Sequence, residues 1–411
     1  MNEFLRAHAD KITQEAIAAV LPDEAVRRAL IGMRLTGRVR LVAAGKAAWR
    51  MADAATRALG DRVEAGAVIT KYGHVQGPIP CCRCFEAGHP VPDGNSFRAT
   101  EAALALVSGL TAEDTVLFLL SGGGSALFEK PLVPPEELKD VTARLLACGA
   151  DIVEINTIRK RLSAVKGGRF AQLCAPARVE AVVLSDVLGD PLDMIASGPA
   201  CPDSATAADA RRVAEKYGLR LSEKARALLD VETPKRLDNV RAQVNGSVRL
   251  LCAAAASACK ALGYRPVLLT DLLSCEAREA GRFLGSVART HAGCGEALAF
   301  IAGGETVVHV TGRGLGGRNQ ELALAAAPAL SGLPGAAVFS VGSDGTDGPT
   351  DAAGGYADGD TAPALAAAGV SPDAALADND AYHALNAVGG LIVTGPTGTN
   401  VNDVAVALVR G

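Results

Sequence analysis

Thr115-Val116-Leu117-Phe118-Leu119-Leu120 runs straight into Ser121-Gly122-Gly123-Gly124-Ser125, and a helical pattern follows near residues 136–155. An unbroken apolar run of this length reads as a strand buried on both faces, the kind found in parallel sheets covered by helices. The glycine run that ends it lets backbone N–H groups approach an anion, and a helix start behind it would strengthen the pull. It is neither a Walker A sequence nor a complete dinucleotide fingerprint, so a tight structural turn is an equal reading. The same alternation repeats on either side. Residues 39–43 feed Gly45-Lys46 and a helix over 47–59, and 63–70 form a second strand. After Gly88-His89-Pro90-Val91-Pro92-Asp93 a helix runs to about residue 110, and 179–184 form a strand that ends in Ser185-Asp186. Repeated strand, loop and helix predict open parallel sheets, with the ligand-binding loops gathered at the carboxyl ends of the strands.

The chain has 411 residues, too many for one ordinary core, which predicts two or three α/β units. We place a Rossmann-like, nucleotide-binding domain with helices on both sheet faces at 1–240 and a second α/β domain at 241–411, the latter opening with a strand at 248–253. Hydrophobic residues make up 49% but aromatic residues only 4%, so the cores must be built of Ala, Val and Leu in close contact. A net charge of -4 gives no polycation footprint and argues against nucleic acid as partner. Ten scattered cysteines fit a reducing compartment, and Cys81 with Cys84 is a C-x-x-C without the second pair a zinc site needs. Residues 1–19 carry Glu3, Arg6, Asp10, Lys11 and Glu15, which predicts an amphipathic helix rather than a signal peptide. The longest uncharged stretch, 322–343, is interrupted by Pro328, Gly332, Pro334 and Gly335, so no membrane span is expected and the cytoplasm is the expected location.

Several loops at the expected sheet edge carry chemistry. Lys46 precedes a helix, where a cation opposes the macrodipole unless a bound phosphate offsets it; a solvated surface lysine is the plainer reading. Arg159, Lys160, Arg161, Lys166 and Arg169 crowd one segment, which reads first as a solvated helix face, although Lys166 beside Gly167-Gly168 could reach a phosphate. Asp186, Gly189 and Asp190 leave a strand together. Gly312, Gly314 and Gly317 satisfy G-x-G-x-x-G, so a dinucleotide site must be weighed, but Arg318 at the helix start reads better as a clamp for phosphate or carboxylate. Residues 342–354 place Asp344, Asp347 and Asp351 among glycines and hydroxyls after an apolar strand, a loop suited to Mg2+ or a polyanion, with an Asp/Gly surface turn as the alternative.

Taken together these segments resemble the class II glycerate 2-kinases, whose C-terminal region is the MOFRL domain. The resemblance rests on Gly45-Lys46-Ala47-Ala48, the His89 and Ser121–Ser125 loops, the Arg159 to Gly168 segment, Ser185-Asp186-Val187 and Ser197-Gly198-Pro199. It continues through Gly303-Gly304-Glu305-Thr306, Gly316-Gly317-Arg318-Asn319-Gln320-Glu321, Gly345-Thr346-Asp347-Gly348-Pro349-Thr350-Asp351 and Thr394-Gly395-Pro396-Thr397-Gly398-Thr399-Asn400-Val401-Asn402-Asp403. It implies ATP- and Mg2+-dependent phosphorylation of D-glycerate at the 2-hydroxyl, with Lys46 and Arg318 as the catalytic residues on opposite sides of a cleft between two domains. On that reading Ser121, Gly122, Gly123, Gly124, Ser125, Lys166, Asp186, Gly189 and Asp190 hold the ATP phosphates. His89, Glu305 and Asn319 contact the substrate, and Asp347 and Asp351 hold the metal. The expected partners are small molecules, without nucleic acid or membrane, and a homodimer is the assembly to test. Asp378-Asn379-Asp380-Ala381-Tyr382 and Asp344 depart from the usual pattern. The rival readings are a nicotinamide-dependent hydroxypyruvate reductase, which would lack a His–carboxylate proton donor, and a sugar-acid-binding protein without turnover.

Overall fold

The computed structural model describes residues 1–410. They divide into two compact units, Ala25–Asn245 and the combination of Met1–Glu24 with Gly246–Gly411.

In the first unit the strands are β1 (Val39–Ala44), β2 (Val63–Lys71), β3 (Cys82–Ala87), β4 (Thr115–Leu120), β5 (Arg178–Leu184) and β6 (Val240–Gly246), arranged β3-β2-β1-β4-β5-β6. The pairings from β3 through β5 are all parallel. The period of two along β4 explains its uninterrupted apolar run, because the sheet is covered on both sides. Val116, Phe118 and Leu120 enter one core with Phe128 and Phe170, and Leu117 and Leu119 enter the other with Met51 and Ala55. This strand order reverses direction between β1 and β4, and ligands of open α/β sheets bind in the crevice at that reversal. The loops leaving β1 and β4 are Gly45-Lys46 and 121–125, so the sheet sets both at its switch point. A helical satellite, with Leu138, Val141, Ile158, Val213 and Leu229 in its own core, packs the charged stretch before β6.

The second unit contains β7 (Arg265–Leu273), β8 (Leu298–Gly304), β9 (Ala336–Gly342), β10 (Gly354–Asp358), β11 (Leu391–Ile392) and β12 (Asp403–Val409), ordered β11-β10-β9-β12-β8-β7. This sheet is mixed rather than parallel. β7 pairs parallel with β8, but β12 lies antiparallel between β8 and β9. β8 and β9 therefore run the same way and end at one edge, and β12 starts at that edge, with Asp403 opposite both Gly304 and Gly342.

Three expectations need correction. The segment expected as a strand at 248–253 is the start of a helix, Val248–Ala261, because the run Cys252-Ala253-Ala254-Ala255-Ala256 favours helix and buries only one stripe. The single helix expected near 136–155 is two, Pro135–Ala147 and Ile152–Arg161, parted at Gly149, whose φ of 73° ends the first. The boundary at 240/241 and the placing of residues 1–24 with the first domain also differ from the structure. β6 completes the first sheet, and the helix Glu3–Ala19 packs against Val248–Ala261 in the other unit. Its tethers are specific: Asn2 donates to Asp358 and Pro334, and Thr399 Oγ1 donates to the Val20 carbonyl.

Candidate active site

At the switch point of the first unit the two loops are interlocked by backbone. Lys46 N donates to Gly122 O at 2.8 Å, Ser121 N to Ala44 O at 3.0 Å, and Ala47 N to Ser121 Oγ at 3.0 Å. Contact this close requires glycine at position 45, where φ is +130° and a Cβ would meet Ser121 Oγ at 2.2 Å. The helix Ala48–Leu59 begins here with no side-chain cap and no acid in its first turn. Its macrodipole and the Lys46 charge therefore point the same way, toward an anion.

Three expected site residues meet on the glycine run. A Cβ on Gly123 would lie 2.9–3.0 Å from the His89 ring and 3.2 Å from Lys46 Cγ, and one on Gly122 would lie 2.1 Å from Asp186 Oδ2. Lys46, His89 and Asp186 thus share one small surface. Burial, with Lys46 and Lys71 nearby, holds the His89 imidazole below its ordinary pKa, so it is neutral at pH 7 with a ring nitrogen free to accept. Asp190 stands in the left-handed region with φ 54° after Gly189 at φ 80°, and its Oδ1 is buried without a hydrogen-bond partner. A buried carboxylate oxygen without a hydrogen-bond partner is suited to a cation.

Lys166 does not join this surface. Its side chain is fully enclosed, donating to Ser125 O at 2.8 Å and Phe128 O at 3.1 Å and pairing with Glu129 at 3.2 Å. It supports the loop from below. Ser125 itself is half-buried, its hydroxyl 3.0 Å from Ser197 Oγ, which donates to Asn156 Oδ1 at 2.9 Å. The helix behind the glycine run, Gly124–Leu127, is a single turn, so the long helix at this site is the one after Lys46.

In the second unit the edge where β8 and β9 end and β12 begins gathers another polar group. Arg318, first residue of the helix Arg318–Leu330, lays its fork on Asp403, Nε to Oδ2 at 2.5 Å and Nη2 to Oδ1 at 3.0 Å, while Nη1 reaches Glu305 at 3.2 Å. Burial alone would lower the Arg318 pKa, but the Asp403 hydrogen bonds and charge outweigh it and raise it, so the guanidinium is always charged. The cavity in front measures about 670 Å³ and is lined by Glu305, Val308, Arg318, Asp344 and Asp347 among others.

Asp347 serves a different purpose from the metal binding expected of it. Its Oδ1 accepts from Asn319 N and Nδ2 at 3.1 and 3.2 Å, and its Oδ2 accepts from Gln320 N at 2.8 Å, so it caps the helix that Arg318 opens. Burial pushes its carboxyl up to about 6 despite those donors, with Asp403 adding to the rise. Asp351 is exposed and accepts from Tyr382 Oη at 2.8 Å, and Asp344 accepts from Thr346 N at 3.1 Å. The three acids of this loop thus serve three different partners. Among the described residues no group of three or more His, Cys, Asp or Glu side chains is arranged around a metal. Asn319, expected to touch substrate, is buried with its amide on Asp347 and its Oδ1 accepting from Ser340 Oγ at 2.6 Å, whereas Glu305 stands open on the cavity.

The G-x-G-x-x-G run is likewise filled from within. Gly312 N donates to Asn379 Oδ1, Arg313 N to Asp378 Oδ1, Gly314 N to Asp378 O and Leu315 N to Asp380 Oδ1, all at 2.8–2.9 Å. Four of the six amides of that run, from Gly312 to Leu315, are thus taken by residues 378–380, which weakens the case for a dinucleotide pyrophosphate there. Asp403 is the residue that sequence reasoning missed. Its signal was a lone acid at the head of an otherwise apolar final strand.

Comparison with known proteins places the whole chain. Residues 8–230 match a domain of unknown function, DUF4147, and residues 298–403 match the MOFRL family. The D-glycerate 2-kinase of Thermotoga maritima is 54% identical over 99% of this chain and 99% of its own, and the glycerate 2-kinase of Pyrococcus horikoshii is 41% identical over 91% and 88%. A crystal structure of a glycerate kinase from Thermotoga maritima superposes with a TM-score of 0.96 at 54% identity, covering 99% of this chain and 100% of that one. The chain therefore belongs to the glycerate kinase family whose C-terminal region is the MOFRL domain.

Proposed function

We infer that the chain is an ATP-dependent glycerate 2-kinase that moves the γ-phosphoryl group of ATP onto the 2-hydroxyl of D-glycerate. The observation that carries this reading is the switch-point surface of the first unit, where Lys46, an uncapped helix start and the glycine run converge, in a chain 54% identical over its whole length to a D-glycerate 2-kinase. Phosphoryl transfer asks mainly for positioning and charge neutralisation. Lys46 and the amides of the glycine run that make no internal bond would hold the phosphates, with Lys46 on the group in transit. Neutral His89 would take the proton of the glycerate hydroxyl as its oxygen bonds to phosphorus and the bond to the ADP oxygen breaks. Within the second unit Arg318, aimed by Asp403 and flanked by Glu305, is a fork suited to a carboxylate such as that of glycerate.

Mg2+ commonly reaches a kinase site with the nucleotide and needs only one or two protein carboxylates. The buried, unpartnered Oδ1 of Asp190 fits that arrangement, whereas Asp347, whose oxygens cap a helix, fits it poorly. The ion would supply positive charge against the negative charge of the phosphates. The partners are small molecules, D-glycerate and ATP. No helix among the described residues is long and apolar enough to cross a membrane.

The deciding experiment incubates purified protein with ATP, MgCl2 and D-glycerate and identifies the product by phosphorus NMR. The expected product is 2-phosphoglycerate. Formation of 3-phosphoglycerate would overturn the regiochemistry, and NADH oxidation by hydroxypyruvate without ATP would replace the kinase by a reductase.

A further inference from the structure

Beneath the glycine run lies a buried ion group that the reaction just described does not use directly. Arg159 Nη2 donates to Ser125 O at 3.0 Å and Lys166 Nζ donates to the same oxygen at 2.8 Å, so one carbonyl at the end of the loop is gripped by two cations. Ser197 holds the Ser125 hydroxyl from a third side, out of a turn in which Ala196 and Ser197 both take left-handed φ values, 50° and 62°. Non-glycine residues persist in that region only where surrounding contacts over-determine them, and such strain collects at functional sites.

The charges here do not balance. Glu129 is the carboxylate that pairs with Lys166, at 3.2 Å, and with Arg159, at 4.0 Å, and its Oε1 also accepts from Ser163 Oγ at 2.5 Å. The side chains of Lys166 and Glu129 are wholly buried and that of Arg159 is 14% exposed. The other cations of the segment are engaged elsewhere: Lys160 with Asp203, Arg161 with Glu232, Arg169 with the carbonyls of Arg161 and Ser163. Two buried cations therefore share one carboxylate, and Arg159 Nε is buried without an acceptor. An uncompensated buried charge is costly unless something neutralises it.

We propose that Arg159 and Lys166 form a cationic floor under the glycine run, fixing Ser125 and leaving one positive charge that a bound nucleotide polyphosphate balances. This rests on reading 121–125 as the phosphate cradle. Both are positioning residues, since neither reaches the surface where the phosphates lie. The charge state of Lys166 supplies a readout. Burial lowers it to about 8, with Glu129 opposing the fall and Arg159 adding to it. A polyanion above the floor favours the charged form, so the bound protein holds that proton to higher pH than the free protein does. Nucleotide affinity is then flat below pH 8, falls as pH rises through that value, and levels once the bound form has also lost its proton. His89 titrates below its ordinary value, outside this window.

The test is calorimetric titration of the full-length enzyme with ADP from pH 7 to 9.5, in buffers of different ionisation heat. We expect proton uptake on binding between pH 8 and 9. In Lys166→Met we expect affinity about tenfold weaker at pH 7, no proton uptake, and a KM for D-glycerate within about twofold of wild type. Absence of uptake in the wild-type protein overturns the proposal without recourse to any variant. A Lys166→Met protein that binds ADP normally overturns it too. If instead the variant changes only the D-glycerate KM, the loop cradles something other than nucleotide and the premise itself fails.

Discussion

The helices Ala48–Leu59 and Arg318–Leu330 both begin at glycine turns with a cation at the entrance, yet the two entrances carry opposite electrostatics. At the first, no side chain caps the helix, the first turn has no acid, and Lys46 and His89 face the opening. At the second, Asp347 already occupies the helix start and Asp403 neutralises Arg318, while the acids and amide of 378–380 fill the preceding glycine run. The lesson is that glycines before a helix make an anion site only where no carboxylate has taken the amides first. The first entrance is left open to an anion; the second aims one guanidinium.

Three measurements can break or sharpen that contrast. Lys46→Ala should have the largest effect, lowering kcat/KM by about a thousandfold with an unchanged circular dichroism spectrum, as expected for loss of a charge on the transferring group. A loss below about tenfold would remove Lys46 from the catalytic machinery. Arg318→Lys should cost about a hundredfold in kcat/KM for D-glycerate, because an ammonium cannot span both oxygens of Asp403 and still present a directed donor. Near-wild-type turnover would show that the planar fork is unnecessary.

The smallest effect concerns Asp347 and is one of stability. Its carboxyl is raised to about 6 in the folded chain, so between its unfolded value and pH 6 the folded state binds more protons than the unfolded state. Stability contributed by this group is therefore greatest below about pH 4 and declines as pH rises to about 6, by roughly 3 kcal/mol at most. In Asp347→Asn this decline should vanish from the melting temperatures measured between pH 4 and 7. A variant that keeps the wild-type slope would assign it to another group.

The sheet skeleton was readable because buried strands announce themselves by composition. The apolar runs at β1, β2, β4, β5 and β9 each ended in the loop that was expected, and Lys46, His89, Ser121 and Asp186 do come together at the first sheet's switch point. What escaped were partnerships between segments distant in sequence. Lys166 beside two glycines looks the same whether it reaches a phosphate or turns inward to Glu129. Asp347 in an Asp/Gly loop reads as a metal ligand until the helix 28 residues before it in the chain is seen to need a cap. The role of Asp403 was not legible because it arises from β12 running backward between β8 and β9, and no local pattern encodes that direction.

That reversed strand also sets an order of assembly. The helix Glu3–Ala19 belongs to a unit whose other parts emerge only after residues 25–245, whereas Ala25–Asn245 is continuous and can close as soon as β6 is synthesised. β12 is made after β8 and β9, and until it inserts, those strands present open edges to each other and Arg318 has no Asp403. A chain that stops short of residue 403 would thus leave β8 and β9 unpaired with each other and Arg318 without its carboxylate partner.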